Sequence, residues 1–373
     1  MMGESKQLGA FAQDGASASS RVHGGDALAM GLNVSHRDRS PLDFSVNVNP
    51  LGPSPAALVA AHEALQQVDA YPDRGCCNLR CALGEHYDVD LAAIVCGNGA
   101  SDLVWRLAAA TRPAQVLVCA PTFSEYAEAA RFHGAQVREF ALDAAHDFDV
   151  PAAFVAAVAP ETDIVFICNP NNPTGGLVDQ AVLDAVAQRC EEVGALLVID
   201  ECFLGFDARA ARLSFVRRAA QSQNVLVLNA FTKTYGLAGL RLGYVVTGNE
   251  RLRSSLTAAG QAWPVSSVAQ AAGIAALGDA EYLRHACQLV EAERSWLSRE
   301  LAARGFACVP SSANYLLFRS GDEGLPQRLL EQGVLVRPCA SFSGLDSHWT
   351  RIAVRTHPEN LQLIAALDSC REV

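Results

Sequence analysis

Lys233 and Arg241 stand eight positions apart in the run Phe231-Thr232-Lys233-Thr234-Tyr235-Gly236-Leu237-Ala238-Gly239-Leu240-Arg241-Leu242-Gly243-Tyr244. A lysine can condense with an aldehyde as a Schiff base, and an arginine can hold a phosphate through charge-assisted hydrogen bonds. Gly236 and Gly239 let the chain turn between them, because glycine accepts backbone angles that other residues resist. The spacing suits a ligand with an aldehyde on one side of a ring and a phosphate on the other.

Three further segments carry matching chemistry. Asp200 ends the apolar run Leu196 to Ile199, and a carboxylate leaving a buried strand needs a partner, since an unpaired buried charge is costly. A protonated pyridine nitrogen would be such a partner, and the ring held positive would accept electrons from a carbanion. A solvated strand-end carboxylate is the competing explanation, and the stronger one for Glu201. In Cys168-Asn169-Pro170-Asn171-Asn172-Pro173-Thr174-Gly175-Gly176, the prolines and glycines exclude helix or sheet, so the loop projects Asn172 as a hydrogen-bond donor. Gly97-Asn98-Gly99-Ala100-Ser101-Asp102 opens a helix whose free N–H groups, with Ser101, could cradle a phosphate, although a plain N-cap explains Ser101 equally well. Phe123 follows another strand end and could cover a ring face, or be core. Together these residues point to pyridoxal 5'-phosphate (PLP).

The elements that must position them alternate from residue 90 onward. Strand patterns at Val116 to Cys119, Ile164 to Cys168, Leu196 to Ile199, Val225 to Leu228 and Tyr244 to Val246 are mostly apolar throughout, as expected of strands buried on both faces. Helical patterns at Ser101 to Ala110, Glu125 to His133 and Gln180 to Val193 lie between them, predicting an α/β fold with a largely parallel sheet. After Pro264 come helices at Ser266 to Leu277 and Glu281 to Arg304, the second laced with charge like a bridge between domains. Strands at Tyr315 to Phe318, Val334 to Arg337 and Arg351 to Val354 and a helix from Pro358 then predict a smaller α+β unit. The expected division is a mobile tail over 1–20, an N-terminal arm over 21–60, a large domain over 61–265, and a bridging helix with a small domain over 266–373.

Composition narrows the partners. The chain has 373 residues, half of them apolar, and a net charge of -11, which disfavours nucleic acid or an anionic membrane surface. No apolar stretch approaches the ~20 residues of a membrane span, and Met1 to Ser20 lacks the order of a signal peptide. The twelve cysteines lack paired metal-ligand spacing. Cys119, Cys168 and Cys202 read as small buried hydrophobes, Cys76-Cys77 with Cys81 has no nearby histidine, and no metal is expected. Reduced thiols in a cytoplasm are the simpler expectation.

The Lys233, Asp200, Asn172 and Ser101 segments resemble the fold-type I PLP enzymes, in the histidinol-phosphate aminotransferase-like branch of the class I/II aminotransferases, from about residue 21 to the C-terminus. Three passages carry a finer resemblance to the threonine-phosphate decarboxylases of that branch: His23-Gly24-Gly25-Asp26, Leu42 to Pro53, and Val336 to Asp346 leading to Trp349 to Arg355. Those enzymes convert O-phospho-L-threonine to (R)-1-amino-2-propanol phosphate and carbon dioxide in cobalamin biosynthesis. The resemblance implies Lys233 as the Schiff-base lysine, Asp200 on the pyridine nitrogen and Asn172 on the ring oxygen. It places Arg241, Ser101, Thr232 and the amides of Gly99 and Ala100 at the cofactor phosphate, with Phe123 over the ring. Arg351 would clasp a substrate carboxylate, and His23, Gly24, Asn47 and Arg337 would line the substrate pocket, His23 and Arg337 nearest its phosphate. Tyr71 would reach a cofactor phosphate across a homodimer interface.

Two positions depart from the branch. Phe203 replaces a frequent tyrosine that binds the ring oxygen, and Ala230 replaces a hydroxyl residue at the phosphate cup. A histidinol-phosphate aminotransferase is the alternative activity. A PLP-sensing regulator is a remote one, since about twenty non-basic residues precede His23 and leave no room for a DNA-binding module.

Overall fold

A computed structural model describes residues 41–370 together with Gly24. The expected 1–20 tail and His23 lie outside the described residues. The first strand is β1 (Leu42–Asp43), and seven more follow: β2 (Ile94–Gly97), β3 (Gln115–Ala120), β4 (Gln136–Ala141), β5 (Ile164–Cys168), β6 (Leu196–Asp200), β7 (Val225–Ala230) and β8 (Gly243–Val246).

Strands β2 to β8 form one sheet in the order β2-β8-β7-β6-β5-β3-β4. Every neighbouring pair from β7 to β4 is parallel, whereas β8 runs antiparallel to both β2 and β7. All five residues of β5 and all four of β8 are buried, as strands covered on both faces must be. The reading of a mostly parallel sheet holds, with α1 (Pro55–Ala64), α2 (Cys77–Tyr87), α3 (Ala100–Thr111) and α4 (Glu125–Phe132) among the covering helices. β2 and β4 were not among the expected strands. β4 reads Gln-Val-Arg-Glu-Phe-Ala and is half exposed, because it is an edge strand whose charges deter further pairing.

The second sheet contains β9 (Ala307–Cys308), β10 (Tyr315–Arg319), β12 (Arg337–Pro338) and β13 (Trp349–Ala353), antiparallel in the order β12-β13-β10-β9. The expected strand at Val334 to Arg337 is two strands. β11 (Val334–Leu335) pairs in parallel with β1, and the chain changes partner at Val336 before β12 meets β13. The β1–β11 pair ties the N-terminal arm to this C-terminal unit. Its core of Phe44, Leu297, Leu316, Ile352 and Leu363 is separate from the clusters around the large sheet.

The long helix Ala280–Ala303 buries Ala286, Val290, Leu297 and Leu301 on one face. Leu297 and Leu301 belong to the C-terminal core, while Val290 packs with Phe203, Ala230 and Tyr315 between the sheets. The helix thus contributes side chains both to the C-terminal core and to the cluster beside the large sheet. Among the described residues all twelve cysteines are free, no cluster of three or more metal-ligating side chains occurs, and no helix is long and apolar enough to cross a membrane.

Candidate active site

The C-terminal ends of β3, β5, β6 and β7 open into a cavity of about 540 Å³. Lys233, Asp200, Asn172, Arg241, Arg337 and Arg351 line it. So do Gly24, Asn47, Ala100, Ser101, Phe123 and Thr232.

β6 delivers Asp200 with its carboxylate buried. The Tyr126 hydroxyl donates to Asp200 Oδ2 at 2.6 Å, and the Cys202 amide donates to Oδ1 at 2.9 Å. Burial raises its pKa against the pull of those donors. A cation in the cavity would reverse that balance and keep the carboxylate charged. Glu201, by contrast, turns away into the fold, where it accepts from Ser214 Oγ at 2.6 Å and the Phe215 amide at 2.7 Å.

Lys233 follows the end of β7. Its carbonyl accepts from the Asn49 amide at 3.0 Å, and Asn49 Nδ2 donates to the Thr234 carbonyl at 2.9 Å. Its ammonium lies 5.6 Å from the centre of the Phe203 ring. Burial, then the charges of Arg351 and Arg241, push its pKa down to about 8. Gly236 sits at φ 71, as the turn required, and a Cβ there would meet the Gly52 carbonyl carbon at 2.5 Å. Gly239 has open space and no left-handed backbone, so the turn does not depend on it.

Arg241 returns to the cavity from a left-handed position at φ 55 and packs over Gly99. Gly99 caps α3 at φ 89, and a Cβ there would lie 2.7 Å from Arg241 Nη2. The first amides of α3, at Ala100 and Ser101, thus face the cavity beside a guanidinium, which is an anion site by construction. Ala230 is buried in the cavity wall and supplies no hydroxyl.

The Asn172 loop is braced from both units. Asn171 Nδ2 donates to the Pro121 carbonyl and to Thr174 Oγ1, each at 3.0 Å, and the Tyr315 hydroxyl donates to the Asn171 carbonyl at 2.8 Å. Asn172 Oδ1 accepts from Arg351 Nη1, which leaves its amide nitrogen free to donate. Arg351 Nη2 donates to the Ser45 carbonyl at 2.9 Å, and Asn47, oriented with its oxygen toward the guanidinium, accepts from Nε and Nη1 at 3.2 Å. Among the described residues, the hydrogen-bond acceptors on Arg351 are neutral. Arg337 pairs with Arg351 across β12 and β13, so the two side chains share a sheet face. Arg337 Nη2 donates to Ser341 Oγ at 2.9 Å, its guanidinium lies 5.3 Å from the Phe342 ring centre, and burial lowers its pKa to about 10.

The sequence of residues 39–367 matches the family description "Aminotransferase class I and II". The chain belongs to this PLP-dependent family. It is 32% identical to threonine-phosphate decarboxylase of Salmonella typhimurium, over 93% of this chain and 95% of the relative. It is 38% identical to histidinol-phosphate aminotransferase 2 of Ralstonia nicotianae, over 87% of each. Its fold matches that of a histidinol-phosphate aminotransferase from Clostridium acetobutylicum with a TM-score of 0.82 and 29% identity, covering 89% of this chain and 99% of the other.

The residues fit the family's cofactor: a buried carboxylate held by the neutral donors Tyr126 and the Cys202 amide, a lysine of depressed pKa, and a cradle at α3 that a Cβ on Gly99 would fill. Gly24 also lines the cavity, where a Cβ would come within 2.2 Å of the Ser45 carbonyl oxygen. Tyr71 does not reach this cavity. It is 79% exposed and stacks on Trp263 at 4.3 Å. Tyr126, Asn49 and Ser341 were not singled out in the sequence. Asn49 and Ser341 do lie in the passages that carry the finer resemblance, but Tyr126 has no local signal, only its place on the helix after Phe123.

Proposed function

We propose that this protein decarboxylates O-phospho-L-threonine to (R)-1-amino-2-propanol O-2-phosphate, as a step in cobalamin biosynthesis. The observation that carries this reading is the pair Arg337 and Arg351, buried side by side in one cavity wall, with neutral hydrogen-bond acceptors around Arg351. A buried guanidinium held by neutral acceptors, as Arg351 is, calls for an anionic group in the cavity, and Arg337 stands beside it in the same wall. Phosphothreonine brings a carboxylate and a phosphate on one small molecule, whereas histidinol phosphate brings only the phosphate and transamination would present carboxylates separately, on the 2-oxoglutarate acceptor. The 32% identity to a threonine-phosphate decarboxylase supports the same assignment.

When bound, PLP supplies an electrophilic aldehyde and a ring that takes up the electron pair left at Cα. Arg351 clasps the substrate carboxylate, and Asn172 and Asn47 hold the guanidinium in place. Arg337 and Ser341 hold the substrate phosphate, with His23 joining them by resemblance. By holding the carboxylate and phosphate at fixed points, the arginines would orient the substrate and so select which bond to Cα breaks. The Cα–carboxylate bond breaks, carbon dioxide leaves, and one proton takes its place on Cα. Lys233, with a pKa near neutrality, is the group suited to deliver that proton. Asp200 would hold the pyridine nitrogen protonated, Asn172 would donate to the ring oxygen without help from a hydroxyl at Phe203, and Phe123 would cover the ring. Arg241, Thr232, Ser101 and the amides of Gly99 and Ala100 would hold the cofactor phosphate. The division into a large domain over 61–265 and a small one from 266, a cytoplasmic location and a homodimer belong to the same proposal.

The 38% identity to histidinol-phosphate aminotransferases supports transamination as the second reading. The arginine pair provides the test. Arg337→Ala should lower kcat/KM for phosphothreonine by roughly a hundredfold or more while leaving the weak turnover of free threonine nearly unchanged. Equal losses on both substrates would remove Arg337 from the phosphate site and the reading with it.

A further inference from the structure

The loop that follows β12 is anchored to the large sheet at two places outside the cavity. Ser343 Oγ donates to Glu139 Oε2 at 2.5 Å, and Glu139 Oε1 accepts from Arg131 Nη2 at 2.7 Å. Glu139 stands on the edge strand β4 and Arg131 on α4, so one carboxylate joins three elements. Further on, Trp349 packs edge-on against Phe148, with ring centres 5.2 Å apart. Phe148 is buried at φ 57 directly after Asp147 at φ 54. Two consecutive non-glycine residues in the left-handed region persist only where the surroundings hold them. Cys339 and Phe342, although carried by the C-terminal unit, belong to the same apolar cluster as Leu142 and Phe148 and not to the C-terminal core.

Just before Ser343 lie the groups that hold Arg337. Ser341 accepts from its guanidinium and Phe342 faces it, while the Cys339 amide donates to the Trp349 carbonyl at 2.9 Å and the Phe342 amide to the Cys339 carbonyl at 3.0 Å. The loop is thus tied to β13, which carries Arg351. Any shift at Ser343 or Trp349 is passed to both arginines together.

We propose that Glu139 and Phe148 are positioning residues for the substrate arginines, clamping the 339–349 loop to the large sheet so that Arg337 and Arg351 face Lys233. The proposal rests on the assignment of those arginines to the substrate. Neither Glu139 nor Phe148 lines the cavity. Their loss loosens the geometry that recognises the anionic groups while leaving Lys233 and Asp200 in place.

Ser343→Ala and Glu139→Ala, both at positions open to solvent, should raise KM for phosphothreonine about three- to tenfold with kcat within about twofold of wild type. Glu139→Gln keeps an acceptor for Ser343 and should restore KM to near the wild-type value. In the protein without substrate, both alanine variants should show faster hydrogen exchange across residues 339–349. Unchanged exchange, or a fall in kcat at constant KM, would overturn the proposal. Exchange is read without substrate, so failure of phosphothreonine as the substrate is distinguished from failure of the clamp. In that case KM is read on whichever phosphorylated amine the enzyme turns over.

Discussion

At the scale of single residues the site depends on how charge is distributed around Lys233. Burial and the cations Arg351 and Arg241 favour its neutral amine, the form that attacks an aldehyde. The amine fraction rises as pH climbs through the folded-state pKa. Covalent capture of PLP by the cofactor-free protein, fixed with borohydride and counted at Lys233, should therefore rise with a midpoint near pH 8. A midpoint near that of an ordinary lysine would contradict the assignment of these neighbours. Asp200 was legible because it ends an apolar strand, and Lys233 because Arg241 follows it at a set spacing across a glycine-punctuated turn, both local patterns. Tyr126 was not, since its bond to Asp200 spans 74 positions and depends on how α4 packs against the sheet.

At the scale of elements, what matters is the approach of α3 to the arginine that follows β7. Gly99→Ala combines a left-handed φ of 89 with a Cβ 2.7 Å from Arg241 Nη2. Equilibrium dialysis of the variant should show PLP affinity weaker by roughly tenfold or more, from strain of about 1–3 kcal/mol. Wild-type affinity would mean that the cofactor phosphate is held elsewhere. The buried strands β5 and β6 were readable because their runs are apolar, broken only by Asp200 at the end of β6. The edge strand β4 was hidden by its charges, and the break between β11 and β12 by continuous β-propensity. Only the partner change at Val336 separates those two, and that is a tertiary fact. The register that sets Arg337 opposite Arg351 was equally out of reach.

At the scale of the whole molecule, Leu58, Val59, Leu65 and Val68 are each more than half exposed, on or just after α1, and Tyr71 and Trp263 stack in the open. Isolated exposed apolar residues are ordinary, but a contiguous stretch of them marks an association surface. A second copy covering this face would carry Tyr71 toward the neighbouring cavity, in line with its expected role across a homodimer. Sedimentation should give a dimer for the wild type and a monomer for Val59→Asp combined with Val68→Asp. A monomeric wild type at micromolar concentration would contradict it. The central claim concerns which bond at Cα is broken, and the two readings of this family differ in one requirement. Transamination needs an amino acceptor and decarboxylation does not. The most direct measurement is therefore release of carboxyl-labelled carbon dioxide from O-phospho-L-threonine by the PLP-loaded protein with no keto acid present. The account predicts sustained turnover with one carbon dioxide per aminopropanol phosphate formed. No release, together with histidinol-phosphate turnover that depends on 2-oxoglutarate, would contradict it.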